Sequence, residues 1–413
     1  MKEKTGGLYR RPSLIHYRIA QAVSWLVAKL VFGRRFLRNE IKDAKGPFVV
    51  IANHQAALDF VNLIGAAKRP MSFVLSWSFY STLPIRGFLD KMGVIPKQQF
   101  QSSITDMKRM KAVVDSGEAL VIYPAGLMCE DGLSTPIPHA TYKFLKWLGA
   151  DVYVARSAGS YFVMPKWAKG LRPGRTNMDI YKLFTREELK GLSVDEIRER
   201  TDGALLYDAY REQEDILCAY KGGGNIAGLE KVLYMCPHCG SEFSVELRDG
   251  DTLVCRECGY AEQSDSYGFL HKISGHGEEI RYVSDWNLRI LENTRRRIAE
   301  GEDSISTPIR IKMVEPKKHV FADAGEGVLS LDPGGFHVRA VIGGEVRVFD
   351  IPIVNIPTLP FGPGKYLELQ LDKEIFRCQP EDGRLVMKMI NMLKILHVQS
   401  RSEVEERSRR SYG

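Results

Sequence analysis

Phe48-Val49-Val50-Ile51-Ala52-Asn53-His54-Gln55-Ala56-Ala57-Leu58-Asp59 is the stretch that decides the fold. Its first five residues are apolar without alternation, rich in β-branched side chains, and bounded by Gly46-Pro47 and Asn53. Such a run reads as a buried strand. A helical pattern follows from Gln55 to about Ala67. Working outward, further strands are expected at Ser72–Leu75, Val94–Ile95, Glu118–Tyr123 and Val152–Val154. Between them, Ser103–Asp115 carries Met107, Met110, Val113 and Val114 at helical spacing and closes at Gly117, and Ala140–Leu148 closes at Gly149. Strands alternating with helices imply an α/β domain, a mostly parallel sheet flanked by helices.

Beyond it the pattern changes. Asp195–Leu217 is charged and helical, and Lys221-Gly222-Gly223-Gly224-Asn225 is a break. Asp285–Ala299 reads as a helix capped by Ser284 and stopped by Gly301. From Thr307 to Cys378, short alternating runs are separated by Asp332-Pro333-Gly334-Gly335, Gly343-Gly344 and Gly362-Pro363-Gly364. A final helix is expected over Asp382–Val398, with Val386, Met387, Ile390, Leu393 and Leu396 on its apolar face. The segments are therefore 1–44, an amphipathic lead-in; 45–230, the α/β domain; 231–262, a cysteine-bearing ribbon; 263–302, linker and helix; 303–400, a β-rich domain of pleckstrin-homology-like kind closed by a C-terminal helix; and 401–413, a charged tail expected to be disordered.

The 413 residues are 44% hydrophobic and 26% charged, ordinary for a globular chain, with a net charge of +7. A mildly basic balance suits a phosphate-bearing partner, an anionic lipid surface or a nucleic acid. No secretory signal is legible at the N-terminus. The apolar stretch Ile15–Phe32 is interrupted by His16, Arg18 and Lys29, so no spanning helix is expected. It reads equally as a helix packed on the domain or as one lying in a membrane interface, with Trp25, Leu26, Leu30, Val31 and Phe32 inserted and Arg34, Arg35 and Arg38 near headgroups.

His54 and Asp59 are five residues apart and do not share a helical face. They meet if His54 sits in the turn and Asp59 one turn into the helix. The carboxylate then holds the imidazole in one tautomer and supports its protonated form. The hydroxyl to be deprotonated can belong to a substrate.

The chain resembles the glycerolipid acyltransferase family, the lysophosphatidic acid acyltransferases and their relatives, over about residues 14–180. The resemblance rests on the basic amphipathic lead-in, the Asn53-His54-x4-Asp59 block, Met92-Gly93-Val94-Ile95-Pro96, and the helix, Gly117-Glu118, strand and Tyr123-Pro124 before a third block. It implies that His54 is the general base and Asp59 its orienter, with acyl-CoA or acyl carrier protein as acyl donor. Substrate contacts are expected from Asn53, Lys97, Pro124, Gly126 and Arg156. The third block, usually Pro-Glu-Gly-Thr-Arg, is here Pro124-Ala125-Gly126-Leu127-Met128, and Lys97 stands where an arginine usually ends the second. A lysine does not reproduce an arginine fork on phosphate, so an acceptor other than a glycerol phosphate is expected, with Lys97, Arg156, Lys166 or Arg172 as alternative cations.

Cys236-Pro237-His238-Cys239-Gly240 and Cys255-Arg256-Glu257-Cys258-Gly259 are two matched knuckles with fifteen residues between them. Four thiolates complete a closed tetrahedral site, so zinc is the expected cofactor, in a structural role. The other three of the seven cysteines stand alone, which suggests a reducing compartment rather than a disulfide framework. The ribbon mixes Arg248 and Arg256 with Glu242, Glu246, Asp249, Asp251, Glu257 and Glu262, which is not a basic stripe. A docking module for a protein partner or a spacer is expected, not a nucleic-acid reader.

The expected function is acyl transfer to a lipid hydroxyl in phospholipid metabolism, at the cytoplasmic face of a membrane, by a peripheral protein whose partners are membrane lipids and the acyl donor. Two rivals are a lipid-binding protein that has lost catalysis and, further off, a zinc-ribbon adaptor.

Overall fold

The computed structural model describes residues 8–99, 103–315, 318–371 and 374–411, the side chains of 402–411 excepted. These residues divide into two compact units. The first comprises those of Met1–Lys166, Gly170–Gly224 and Ser266–Gly268, and the second Trp167–Lys169, Asn225–Asp265 and Phe269–Gly413.

The first unit is built on a seven-stranded sheet of β1 (Arg35–Asn39), β2 (Phe48–Ala52), β3 (Met71–Ser76), β4 (Ile95–Lys97), β5 (Ala119–Ile122), β6 (Asp151–Ala158) and β7 (Asn177–Phe184), in the order β1-β7-β6-β2-β5-β3-β4. Its helices are α1 (Leu14–Leu30), α2 (Asp59–Ile64), α3 (Trp77–Thr82), α4 (Arg86–Lys91), α5 (Ile104–Asp115), α6 (Ala140–Leu148), α7 (Ser160–Val163), α8 (Arg186–Gly191), α9 (Val194–Leu205) and α10 (Ala209–Ile216). The unbroken apolar run of β2 has a direct cause. Phe48, Val50 and Ala52 enter one core with Tyr17, Leu63 and Met71, while Val49 and Ile51 enter another with Val113, Leu145 and Phe184. All neighbouring strands are parallel except β6 and β7. The carboxyl ends of β2, β3, β4, β5 and β6 therefore share one edge, where open α/β sheets place their ligands.

The structure departs from the sequence pattern at several places. β1 and β7 were not foreseen; β1 is a mostly exposed strand without apolar alternation. Arg38, placed near headgroups, instead pairs with Asp179 at 2.8 and 2.9 Å and lies over the Tyr181 ring, while Arg34 donates to the Asn62 carbonyl at 2.9 Å. Phe32 is wholly buried rather than available to a membrane. The helix expected from Gln55 begins only at Asp59 and ends at Ile64, after a turn over 56–58. The helix expected over Asp195–Leu217 is two, α9 and α10, because Asp208 turns its carboxylate to the amides of Tyr210 and Arg211 and starts α10 afresh.

The second unit holds a four-stranded antiparallel sheet, order β11-β10-β9-β8, of β8 (Val245–Arg248), β9 (Thr252–Cys255), β10 (Ala261–Ser264) and β11 (Leu270–Ser274). The β8–β9 turn puts Asp249 and Gly250 at φ of 51° and 82°, the doubly left-handed backbone of a tight hairpin. After α11 (Val283–Ala299) come β12 (Ile305–Glu315), β13 (Val320–Asp332), β14 (Gly335–Ile342), β15 (Glu345–Pro352), β16 (Phe361–Gly362), β17 (Tyr366–Leu371), β18 (Glu374–Pro380) and α12 (Leu385–Ser411). The seven strands form an antiparallel sheet of two meanders, β12–β15 and β16–β18, joined through β12 and β18 in the order β15-β14-β13-β12-β18-β17-β16. The first strand thus pairs with the last and a C-terminal helix follows, the β-rich domain expected of this segment. Val386, Met387, Ile390, Leu393 and Leu396 are buried. Two details differ. α11 has Tyr282 at its N-cap with no side-chain bond, so Ser284 lies inside its first turn. α12 continues to Ser411 through most of the segment expected to be disordered; residues 412–413 lie outside the described residues.

Candidate active site

β2 delivers His54 to the sheet edge, and Asn53 fixes the exit. Its amide donates to the Ser157 carbonyl and accepts from the Ser157 N–H, both at 2.8 Å, stitching the end of β2 to β6. Asp59, the first residue of α2, is buried. Its Oδ2 accepts the Gln55 N–H at 2.7 Å, the Ala56 N–H at 2.8 Å and His54 Nδ1 at 3.1 Å. A carboxylate can only accept, so Nδ1 carries the proton and the lone pair of the half-buried imidazole is on Nε2. The two backbone amides hold the carboxylate, and the carboxylate holds the ring. One face of the ring is covered by Tyr123, the residue after β5, with ring centroids 4.5 Å apart and a tilt of 34°. Burial pushes the Tyr123 hydroxyl well above its ordinary range, and nearby Asp59 adds to this.

His54 opens on a cleft of about 450 Å³ in the first unit. Ala52, Pro124, Ala125, Leu127, Pro136, Ile137, Leu205 and Leu206 give it apolar walls, and Ser134, His139, Tyr142, Arg198, Asp202 and Tyr207 supply polar groups. The wall comes from the α9–α10 junction. Ser134 N–H donates to the Tyr207 carbonyl at 3.1 Å, Leu133 bridges to Asp208, and the Tyr207 hydroxyl reaches the His54 carbonyl at 3.5 Å.

In the second unit, Cys236, Cys239, Cys255 and Cys258 bring their sulfurs within 4.8 Å of one another. The Cys236–Cys258 and Cys239–Cys255 separations are 3.6 and 3.7 Å. A tetrahedron of four zinc–sulfur bonds of about 2.3 Å has edges of roughly 3.8 Å, so the four thiolates fit zinc with all positions filled by protein. The site is structural.

Residues 34–165 match the family model described as "Acyltransferase", and residues 229–261 that described as "DNA directed RNA polymerase, 7 kDa subunit", a zinc ribbon. The chain carries an acyltransferase domain and an appended zinc ribbon. Transcription factor S of Archaeoglobus fulgidus is 34% identical over 61 residues, 14% of this chain. The chain spans 56% of the length of that relative. Among solved structures, the 1-acyl-sn-glycerophosphate (LPA) acyltransferase PlsC from Thermotoga maritima aligns at a TM-score of 0.40 and 14% identity, over 49% of this chain and 78% of that one.

The acyltransferase domain treats the expected substrate-contacting residues unequally. Pro124 and Asn53 line the cleft, but Asn53 spends its amide on Ser157. Gly126, at φ 72°, turns the loop between Ala125 and Leu127, and the Gln99 amide donates to its carbonyl. Arg156 is not in the cleft wall: its guanidinium is bound to Glu212 Oε1 at 2.5 and 3.2 Å. Lys97 is also outside it, donating to the Gln98 carbonyl at 2.9 Å, and burial lowers its affinity for a proton. Lys166 and Arg172 are likewise absent from the wall. The cation that does line the cleft is Arg198, which the sequence reading did not single out. Tyr123 ends the strand run before the third block, and its place against His54 has no signature in the sequence.

Proposed function

We propose that the acyltransferase domain moves an acyl group from a thioester, acyl-CoA or acyl carrier protein, to the hydroxyl of a glycerolipid. The observation that carries this reading is the Nδ1–Oδ2 bond of 3.1 Å from His54 to Asp59 at the mouth of the cleft. His54 Nε2 takes the acceptor proton as the hydroxyl oxygen attacks the thioester carbonyl. Asp59 supports the imidazolium that forms. The carbon–sulfur bond then breaks, and the departing thiolate takes the proton from Nε2. Ala125, where the family has a glutamate, and Leu127, next to Met128 at the family's arginine position, present apolar surface to the cleft. This favours an acceptor without a terminal phosphate, such as a lysophospholipid bearing a headgroup.

The test measures thiol release with lysophosphatidic acid, lysophosphatidylcholine and monoacylglycerol as acceptors. His54→Ala is expected to lower turnover by about 10² to 10⁴. Lipid binding without thiol release from the native chain would instead support a lipid-binding protein that has lost catalysis.

A peripheral membrane site on the cytoplasmic face belongs to the same reading. α1 packs Tyr17, Ala20, Ser24 and Ala28 inward. Leu14, Ile15, Ile19, Val23, Leu26 and Leu30 remain between 50% and 73% exposed. An apolar helix face of this extent suits insertion among headgroups. No helix among the described residues is long and apolar enough to cross a membrane. For the ribbon and the β-rich domain we propose docking to a protein partner; the mixed charge of the ribbon gives nucleic acid no continuous basic surface.

A further inference from the structure

We propose that Arg198 and His139 form a subsite for a phosphodiester on the polar side of the cleft, a reading that rests on acyl transfer at His54. Both side chains line the cavity that His54 opens on. Arg198 lies on α9, beyond the segment 34–165 matched by the acyltransferase family. It puts a guanidinium into a cleft whose third block lacks the family's arginine.

The immediate surroundings leave Arg198 available for exchange. It pairs with Asp195 at 3.5 Å, with the two side chains 50% and 76% exposed. Such a pair is worth little, and a phosphate offering two charge-assisted bonds can displace it. Asp202, one turn further along α9, is engaged by Tyr142: its Oδ1 accepts the Tyr142 hydroxyl at 2.6 Å. Tyr142 in turn meets His139 edge to face, with centroids 5.8 Å apart. One tyrosine thus anchors both the carboxylate and the imidazole of the rim.

Charge selects the ligand class. The rim sets one guanidinium and one imidazole donor against one carboxylate. A phosphate monoester brings about 1.5 to 2 negative charges near neutral pH and would be repelled by Asp202. A phosphodiester brings a single charge and meets about half of that repulsion. Two reactants supply that chemistry: an acceptor lysophospholipid with a headgroup, and the phosphopantetheine arm of an acyl carrier protein.

The binding test is calorimetric titration of dodecylphosphocholine, a single-chain phosphodiester, into the full chain. Arg198→Gln is expected to weaken it about ten-fold or more, with dodecyl maltoside unchanged. Arg198→Lys should restore little, since a lysine lacks the fork. Equal losses for dodecyl maltoside, or tighter binding of dodecyl phosphate than of dodecylphosphocholine to the native chain, would overturn the proposal.

Turnover assigns the source. With acyl-N-acetylcysteamine as donor, a raised KM for lysophosphatidylcholine but not monoacylglycerol places the acceptor there. With monoacylglycerol as acceptor, a raised KM for acyl carrier protein but not acyl-N-acetylcysteamine places the donor. An inactive His54→Ala beside an Arg198→Gln unaltered in every arm would remove the subsite and leave the acyl-transfer reading standing. A fully active His54→Ala would remove that reading, and dodecylphosphocholine binding would still decide the subsite.

Discussion

The imidazole of His54 lies against the ring of Tyr123, 4.5 Å between centroids and tilted by 34°. As His54 accepts a proton it becomes a cation over an aromatic face, an interaction worth about 0.5 to 2 kcal/mol. Tyr123→Leu is therefore expected to lower kcat by roughly 2- to 30-fold. Tyr123→Phe, which keeps the ring, should stay close to the native rate. Equal losses in the two variants would show that the stack is not what matters.

Asp59 does two things at once, since Oδ2 holds both the His54 ring and the amides of Gln55 and Ala56. Asp59→Asn should therefore reduce turnover and also destabilise the first unit, by about 1 to 3 kcal/mol for the weakened charge-assisted bonds. Denaturant unfolding alongside thioester cleavage checks both. A variant with native turnover would remove Asp59 from the mechanism.

The four-cysteine site should hold one zinc per chain. Cys236→Ser should release the metal and lower the melting temperature of the second unit, because binding energy in a structural site is folding energy. Elemental analysis and calorimetry with and without chelator read this out. Zinc-free protein with an unchanged melting temperature would contradict it.

The exposed face of α1 should carry the chain to anionic vesicles. Ile19→Ser with Leu26→Ser removes two apolar contacts, each worth about 1.5 to 3 kcal/mol if fully buried in lipid. Sedimentation with vesicles should show binding reduced at least ten-fold, with thioester cleavage on soluble substrates preserved. Undiminished sedimentation would mean that another surface docks.

Glu262 should make stability fall as pH rises. Its Oε1 accepts the Ile280 N–H at 2.6 Å and the Tyr260 hydroxyl, and burial lifts its carboxyl from 4.5 to about 7. Below about 4.5 both folded and unfolded states carry the neutral acid. Between there and 7 the folded state keeps a proton that the unfolded state has lost, so stability declines with rising pH and the full cost is present above 7. Glu262→Gln should stabilise by on the order of 1 to 3 kcal/mol near pH 8, a gain that shrinks toward pH 5. A gain independent of pH would show that charge is not the cause.

Local chemistry wrote much of this into the chain. The unbroken run Phe48–Ala52 announced a strand covered on both faces, and Gly149 closed α6 with φ at 63°, a conformation that glycine adopts without strain. His54 and Asp59, adjacent through one turn, were readable as a pair, and the two cysteine knuckles as a metal site, because their partners lie within a few residues or one hairpin. The meanders were readable from their alternating runs and glycine turns.

What only the tertiary structure decided is who meets whom across long separations. Arg156 looked available for substrate until Glu212, 56 residues on, claimed it. Arg38 looked bound for headgroups until Asp179, 141 residues on, took it. The cleft wall exists because Asp208 restarts a helix that periodicity ran straight through, bringing Tyr207 against His54 across 153 residues. Periodicity records which face of an element is buried. It carries no record of which polar group waits on the element opposite, and that pairing decided which charges the cleft keeps.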